Sequence, residues 1–299
     1  MKIAVSKTIA LKKLFDYPAL VITRPLLKIF NFRSCISIFI AVFCLTSCKK
    51  RELPIQQPVI KIDSINRGYL LGKDNMHTGE NIDLKPECFF FKYDGQNNFK
   101  VRTGGFLSNH YSTGSYLVFM PDLYDTVEYS KNKIDLIRKS GYPDIAVNEN
   151  RRTYIFANGK IQMKIAYTSA QESDTTLYFY GTDQLLDKLV EKYGGRYTIK
   201  NFSFNSSGNL DSVSSKTYYT VDNTLLSTTQ ETFGNYDRST NPLKGFGIWD
   251  ETFYRSLTKN NFKSYHFETR NVPGNYIEQT GDFKFHLQYN SNGVVDFAK

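Results

Sequence analysis

Residues 154–167 read YIFANGKIQMKIAY, and this stretch decides the fold class. Tyr154 and Phe156 alternate with other side chains before Asn158-Gly159, and a second alternating run, Ile161 to Tyr167, follows that dipeptide. Asn-Gly between two alternating runs is a strong signal of a β-hairpin, because a type I′ turn needs positive φ at both central residues. The stretch therefore predicts two antiparallel strands joined by a tight turn.

The same arrangement recurs along the chain, where Asp94-Gly95, Ser207-Gly208 and Asn292-Gly293 each separate runs of alternating apolar residues. Such alternation places one set of side chains on a buried face of a sheet and the other on a wetter face. The 21 tyrosines and 23 phenylalanines of the chain also favour strands. The sequence predicts a mainly β domain, an antiparallel meander of hairpins in an open or half-barrel sheet, with one or two short helices.

Two segments carry helical signals. Ser130–Ser140 begins with a serine suited to an N-cap and stops before Gly141. Asp183–Tyr193 places acidic residues first and basic residues last, an order that favours a helix. In a strand-rich chain, the alternative for the second segment is a strand from Gln184 to Val190.

An apolar run, Ile36 to Leu45, precedes the predicted domain and is followed by Leu45-Thr46-Ser47-Cys48. The run is too short to span a bilayer, which needs about 20 residues, but it is long enough for a signal peptide. The tetrapeptide resembles the lipobox of bacterial lipoproteins. That resemblance implies cleavage before Cys48 and acylation of Cys48 by chains such as palmitate, so the protein's partner is a membrane reached through this residue.

Residues 1–47 are thus expected to form a leader and residues 48–60 a linker. Residues 61–299 follow as one β-rich domain, in which an N-terminal part, 61–150, and a meander, 151–299, can be distinguished. The formal charge of the whole chain is +9. The leader contains seven Lys and Arg residues and one acid, so it supplies +6 and the remainder keeps +3. A charge this small gives no support to nucleic-acid binding.

The cysteines give no disulfide framework, because Cys35 and Cys44 lie in the leader and Cys48 is expected to carry lipid. Cys88 is then the remaining thiol, and its neighbours Phe89 to Phe91 predict that it lies in a core strand.

No catalytic residue and no cofactor is predicted, although several residues are candidates for a site. Trp249, with Phe253 and Tyr254 nearby, is either an aromatic platform for a sugar or part of a core cluster. His266 and His286 flank a turn at Pro273-Gly274 and, with Glu268, are either metal ligands or solvated residues of a polar face; we predict no metal. The carboxylates are scattered along the sequence: Asp122, Asp125, Glu128, Asp250 and Glu251.

The C-terminal half carries a resemblance to a known group of proteins. Residues 233–242 read FGNYDRSTNP, and residues 256–261 read SLTKNN. This pair of segments resembles the lipoproteins of Bacteroidota that contain a domain of unknown function of porin-like β-meander type, and the recurring aromatic-to-glycine units resemble Tyr-Asp repeats. The resemblance implies an antiparallel meander and an outer-membrane location, and it implies no activity.

Three functions stay open at this level. The first is a lipid-anchored cell-envelope protein with a non-enzymatic binding or structural role, whose protein or glycan partner is unknown. The second is a carbohydrate- or peptide-binding accessory lipoprotein of a nutrient-uptake system, and the third is a hydrolase with an unrecognised site. The resemblance to Bacteroidota lipoproteins implies acidic residues after the lipidated cysteine for surface display, but Lys49, Lys50 and Arg51 stand there. We therefore predict a periplasm-facing position on the outer membrane.

Overall fold

The computed structural model describes residues 60–70, 87–111, 114–142, 150–167 and 173–299. In these residues, fourteen strands form one antiparallel sheet whose order follows the chain. The strands are β1 (Ser64–Asn66), β2 (Cys88–Tyr93), β3 (Phe99–Tyr111), β4 (Gly114–Ser130), β5 (Lys133–Ser140), β6 (Arg151–Ala157), β7 (Lys160–Tyr167), β8 (Ser173–Tyr180), β9 (Leu186–Tyr193), β10 (Arg196–Phe204), β11 (Leu210–Tyr219), β12 (Leu225–Gly234), β13 (Ser264–Asn271) and β14 (Tyr276–Lys284). The prediction of an antiparallel meander is confirmed, and the sheet is open because β1 and β14 do not pair with each other.

The four predicted turn dipeptides all lie in turns, but their turn types differ. Asn158 and Gly159 both have positive φ, 53° and 74°, as a type I′ turn requires. In the turn after β2 the positive φ belongs to Asn97, at 65°, and not to Gly95. The Asp94 carboxylate shapes that longer turn by accepting hydrogen bonds from the backbone N–H groups of Gln96 and Asn98.

These two glycines provide a matched test of the turn chemistry. A Cβ at Gly159 or at Gly95 would meet nothing within 4 Å, so only backbone conformation separates them. We expect Gly159→Ala to lower the free energy of unfolding by about 1 kcal/mol, because its φ is positive. We expect Gly95→Ala to change it by less than about 0.5 kcal/mol. Urea unfolding followed by circular dichroism measures both, and equal midpoints would contradict the assigned turn types.

The helix predicted over Ser130–Ser140 is wrong, because Lys133–Ser140 is strand β5. Strands β4 and β6 pair with its two edges, and these ladder hydrogen bonds outweigh a weak helical preference. For Asp183–Tyr193 the strand alternative is confirmed by β9. The α-helix in the described part of the chain is α1 (Phe253–Ser256). None of the helices described there is long and apolar enough to cross a membrane.

The connection between β12 and β13, residues 235–263, is the centre of the core and is called the inner segment below. Its Trp249 contacts Phe91 of β2, with ring centroids 6.1 Å apart, and its Phe262 contacts Phe233 of β12 at 5.2 Å. Strands in a sheet lie about 4.8 Å apart, so β2 and β12 would be roughly 48 Å apart in a flat sheet. The sheet therefore curves around the inner segment, which gives it an inner, buried face and an outer face.

Arg255 ties the inner segment to the beginning of the sheet. It is fully buried, its Nε donates to the Tyr69 carbonyl at 2.7 Å, and its guanidinium lies 4.0 Å from the centre of the Phe262 ring. The segment after β14 closes over the same region, because the Asn66 N–H donates to the Phe297 carbonyl at 2.7 Å. Burial lowers the pKa of Arg255 to about 9, so the guanidinium is still charged at neutral pH.

A β-bulge at the start of β7 changes which of its side chains are buried. Ile161 lies opposite Phe156, but after the irregularity Met163 lies opposite Ile155. One extra residue in a strand turns every following side chain to the other face. Lys164 therefore points to the inner face, where it binds Asp250 at 3.1 Å, and Met163 points outward.

Candidate functional site

An apolar pocket of about 260 Å³ lies between the inner face of β6 to β10 and the inner segment; it is called the inner pocket below. The sheet contributes aromatic and aliphatic side chains, which are Phe156, Ile161, Tyr178, Tyr180, Leu186 and Phe204. Ile248, Phe253 and Leu257 of the inner segment form the opposite wall. Lys160 and Lys244 also line the pocket, and none of its lining residues is acidic. The pocket thus combines an apolar body with positive charge.

Lys160 is positioned at the pocket by local geometry. It follows the tight turn at Asn158-Gly159, and its ammonium group donates to both the backbone and the side-chain oxygen of Gln184, each at 2.7 Å. The same ammonium lies 4.5 Å from the centre of the Tyr180 ring, a distance at which cations and aromatic faces attract. Burial raises the pKa of Tyr180 to about 12, so its hydroxyl is neutral and donates to the Ile161 carbonyl at 2.9 Å.

A second feature of the inner face is a network of charged side chains, which we call the ion network. Arg102 of β3 is 1% exposed and donates to Asp125 at 2.5 Å and to Glu251 at 2.7 Å. Arg138 of β5 also binds Asp125, with its Nε 2.8 Å from Oδ1. At the other end, Asp250 of the inner segment binds Lys164. The network thus joins strands β3, β4, β5 and β7 to Asp250 and Glu251, two consecutive residues of the inner segment that follow much later in the sequence.

The ion pairs of Asp125 with Arg102 and Arg138 lower the pKa of its carboxyl group. Burial alone would raise its pKa, but the charges of Arg102 and Arg138 outweigh burial and hold the pKa well below its ordinary value. Glu251 behaves in the same way, with Arg102 as its main partner. A general acid at neutral pH needs a raised pKa, so neither carboxyl has the property that acid catalysis requires.

The structure brings together three of the five carboxylates that look scattered in the sequence. Asp125, Asp250 and Glu251 all belong to the ion network. Asp125 is buried and Glu251 is half-buried, whereas Asp250 is exposed, as are Asp122 and Glu128. Sequence reasoning missed this grouping because its members come from strands β3 to β7 and from the inner segment. The available signal was that Asp250 and Glu251 directly follow the single tryptophan of the chain.

Trp249 lies in the core and has no exposed surface. Arg102 covers one side of its ring, 4.6 Å from the ring centre, and Phe99 packs edge-on at 5.8 Å. A sugar platform needs an accessible aromatic face, which Trp249 does not offer. Phe253 and Tyr254 are half-buried and pack against Phe202. Trp249 therefore belongs to the core cluster, and Phe253 and Tyr254 pack against it. This arrangement fits the core interpretation of the three residues rather than a sugar platform.

The two C-terminal histidines are not brought together as a pair. His266 of β13 lies opposite Asp282 of β14, and its Nδ1 is 2.8 Å from the Asp282 carboxylate. His286 lies beyond the end of β14 and is exposed. In the described residues, no group of three or more His, Cys, Asp or Glu side chains is placed to hold a metal ion.

The sequence supports a prediction for each of two cysteines, and the structure describes one of them, Cys88. Cys88 begins β2 and is buried, which confirms that it lies in a core strand, and burial raises the pKa of its thiol. Cys48, the predicted lipidation site, lies outside the described residues.

Solved structures that resemble the fold include two porin-like proteins from Bacteroides. One is a porin-like protein from Bacteroides vulgatus, with a TM-score of 0.46 and 11% identity over 78% of this chain and 89% of that one. The other is a porin-like protein from Bacteroides uniformis, with a TM-score of 0.42 and 12% identity over 70% and 80% of the two chains. No protein-family model and no curated protein matches the sequence.

Proposed function

We propose that this chain is a lipid-anchored, non-enzymatic protein of the cell envelope that binds a small, mostly apolar ligand in the inner pocket. The observation that carries the proposal is the pocket itself, which has aromatic and aliphatic walls and two lysines but no acidic residue in its lining. Small-molecule sites have this character, a mainly apolar concavity with a few polar groups that fix orientation. The volume of about 260 Å³ suits a compact ligand or one end of a longer one.

The anchor is argued from the sequence. An apolar run of signal-peptide length ends at Leu45-Thr46-Ser47-Cys48, and a lipobox-like cysteine is a site of acylation. Several acyl chains on one residue hold a protein on a membrane far better than a single chain does. We place the domain on the periplasmic side of the outer membrane, because Lys49, Lys50 and Arg51 follow the cysteine. The resemblance to Bacteroidota lipoproteins implies acidic residues at this place for surface display.

The ion network supports a non-enzymatic role. The buried Asp125 and the half-buried Glu251 are each paired with a cation, so their charges serve to join the sheet to the inner segment. The carbohydrate-binding alternative depends on an accessible Trp249, and that residue is buried.

Dodecanoate is a suitable probe, since it joins an apolar chain to a carboxylate that can approach Lys160 or Lys244. We expect isothermal titration to detect binding, and we expect Leu257→Trp to weaken it by about tenfold or more because the larger ring fills the pocket. Ile277→Trp, at an exposed position of β14, is the matched control and should bind like the unaltered chain. Equal affinity of both variants, with thermal midpoints unchanged, would show that dodecanoate does not occupy the inner pocket.

A further inference from the structure

Five aliphatic side chains form a continuous row across the outer face of the sheet. The cross-strand register places them opposite one another on β6, β7, β8, β9 and β10. We call them the outer row, and its members are Ile155, Met163, Leu177, Val190 and Ile199. None of them belongs to the hydrophobic core cluster, so the row is a second apolar surface that faces away from the inner segment.

The outer row is partly accessible to solvent. Ile155 is 37% exposed, and the other four members are half-buried. Phe179, a neighbouring apolar residue on the same face of β8, is 41% exposed. The bulge in β7 is what turns Met163 outward, in register with its neighbours. The outer face of an antiparallel sheet is ordinarily polar, because it meets water. An unbroken aliphatic row across five neighbouring strands departs from that pattern and indicates a surface that meets something apolar.

Lysines surround the row. Lys133 of β5 lies opposite Ile155 at one end, and Lys216 of β11 lies opposite Ile199 at the other. Lys188 covers the Phe179 ring at 4.6 Å. Lys192 is exposed on β9, two residues beyond Val190, and lies opposite Thr175 and Tyr197.

Two acidic residues lie on the same face beside the row, Asp135 of β5 and the exposed Glu128 of β4, which lies opposite it. The Asp135 carboxylate lies 2.8 Å from the Lys133 ammonium and 3.0 Å from the Arg151 guanidinium. The surface around the outer row still has an excess of positive charge, because the cations near it outnumber these two carboxylates; they are Lys133, Arg151, Lys188, Lys192 and Lys216.

We propose that the outer row docks this domain on the surface of an anionic phospholipid bilayer. Apolar side chains ringed by lysines match the boundary between acyl chains and negatively charged headgroups. The inference rests in part on the proposed anchor. Residues 49–60 can extend at most about 40 Å from Cys48, so the anchor would hold the domain within reach of the membrane at all times.

The test uses the full chain carrying Cys48→Ala, so that no acyl chain contributes to binding. We expect this protein to co-sediment with vesicles of phosphatidylglycerol and phosphatidylcholine, and to be released by salt because exposed charges are screened. The double variant Leu177→Asn/Val190→Asn should bind about tenfold more weakly or worse. Lys192→Glu, which changes an exposed residue and leaves the row intact, should also weaken binding, by about fivefold.

Val221→Asn is the matched control, because Val221 is highly exposed but lies away from the row. Its binding should equal that of the parent protein. If the row variants bind as the control does, with unchanged thermal midpoints, the docking proposal fails. It also fails if sedimentation velocity shows that the row variants disrupt a dimer, because the row would then bind a second copy.

The anchor is tested separately, by fractionation of cells and by the mass of the N-terminal peptide. If the native chain is not acylated at Cys48 in cells but the Cys48→Ala chain binds vesicles, the proposed anchor is rejected and the docking surface is kept. If the native chain is acylated at Cys48 but the Cys48→Ala chain does not bind vesicles, the docking surface is rejected and the anchor is kept.

Discussion

Replacing Asp125 with asparagine should lower the free energy of unfolding by about 3–5 kcal/mol. Asp125 is 3% exposed and accepts hydrogen bonds from both Arg102 and Arg138. An asparagine keeps the volume but removes the carboxylate that Arg138 binds and leaves Arg102 with Glu251 as its acidic partner. Buried cations that lose a carboxylate are strongly destabilising. Urea unfolding at neutral pH measures the loss.

The pH dependence gives this prediction a signature that a packing defect lacks. The folded pKa of Asp125 lies below its unfolded value, so its contribution is complete above pH 4 or so and is lost as the pH falls through the folded pKa. We expect the unaltered protein to lose stability between about pH 4 and pH 2, and Asp125→Asn to lose less over the same range. Glu128→Gln, at an exposed position of the same strand, is the control, and we expect its profile to follow the parent's.

Trp249→Ala should also destabilise the protein by about 3–5 kcal/mol. The ring is fully buried between Phe91, Phe99 and the Arg102 guanidinium, so its removal leaves a cavity at the point where the inner segment meets β2 and β3. Trp249→Phe keeps most of the apolar contact and should lose about 1–2 kcal/mol.

Circular dichroism is the appropriate measurement, because Trp249 is the single tryptophan and its fluorescence is absent from both variants. If Trp249→Ala unfolded at the same urea concentration as the parent protein, the ring would not be part of the core. In that case the aromatic-platform interpretation would become the better account of this residue.

Local sequence chemistry predicted the sheet well. Asn158-Gly159 allows a two-residue turn that few other dipeptides adopt, so this hairpin and its strands were readable from the chain. Asp94-Gly95 also marked a turn, but its type was hidden, because the Asp94 side chain and the positive φ of Asn97 build a longer loop. The dipeptide therefore gives the position of a turn more reliably than its geometry.

Features that depend on register or on distant partners were not readable. The alternation from Ile161 to Tyr167 suggested one buried face, but the bulge places Ile161 on the inner face and Met163 on the outer face. No local pattern marks that extra residue. The ion network is hidden for another reason, since Arg102 and Glu251 are 149 residues apart in the chain and no local pattern connects them.

The inner pocket combines both difficulties. Ile161 and Leu186 belong to separate hairpins, and Leu257 belongs to the inner segment, so the pocket exists only in the assembled fold. The sequence did point to the inner segment, because Trp249, Phe253 and Tyr254 were chosen as candidate site residues. It left Trp249 open between an accessible platform and a core residue, and it did not predict that Phe253 is the member that lines the pocket.

The place of the inner segment in the chain has a consequence for biogenesis. Strands β1 to β12 precede the inner segment in the chain, and each pairs with its neighbours in sequence. Phe91, Phe99 and Tyr154 lack their contacts with residues 246–262 until that part of the chain has followed them into the periplasm. A chain exported only as far as β12 would expose these aromatic side chains, and such intermediates aggregate. We therefore expect holding chaperones to bind chains truncated just short of Trp249 more strongly than chains that extend past residue 262.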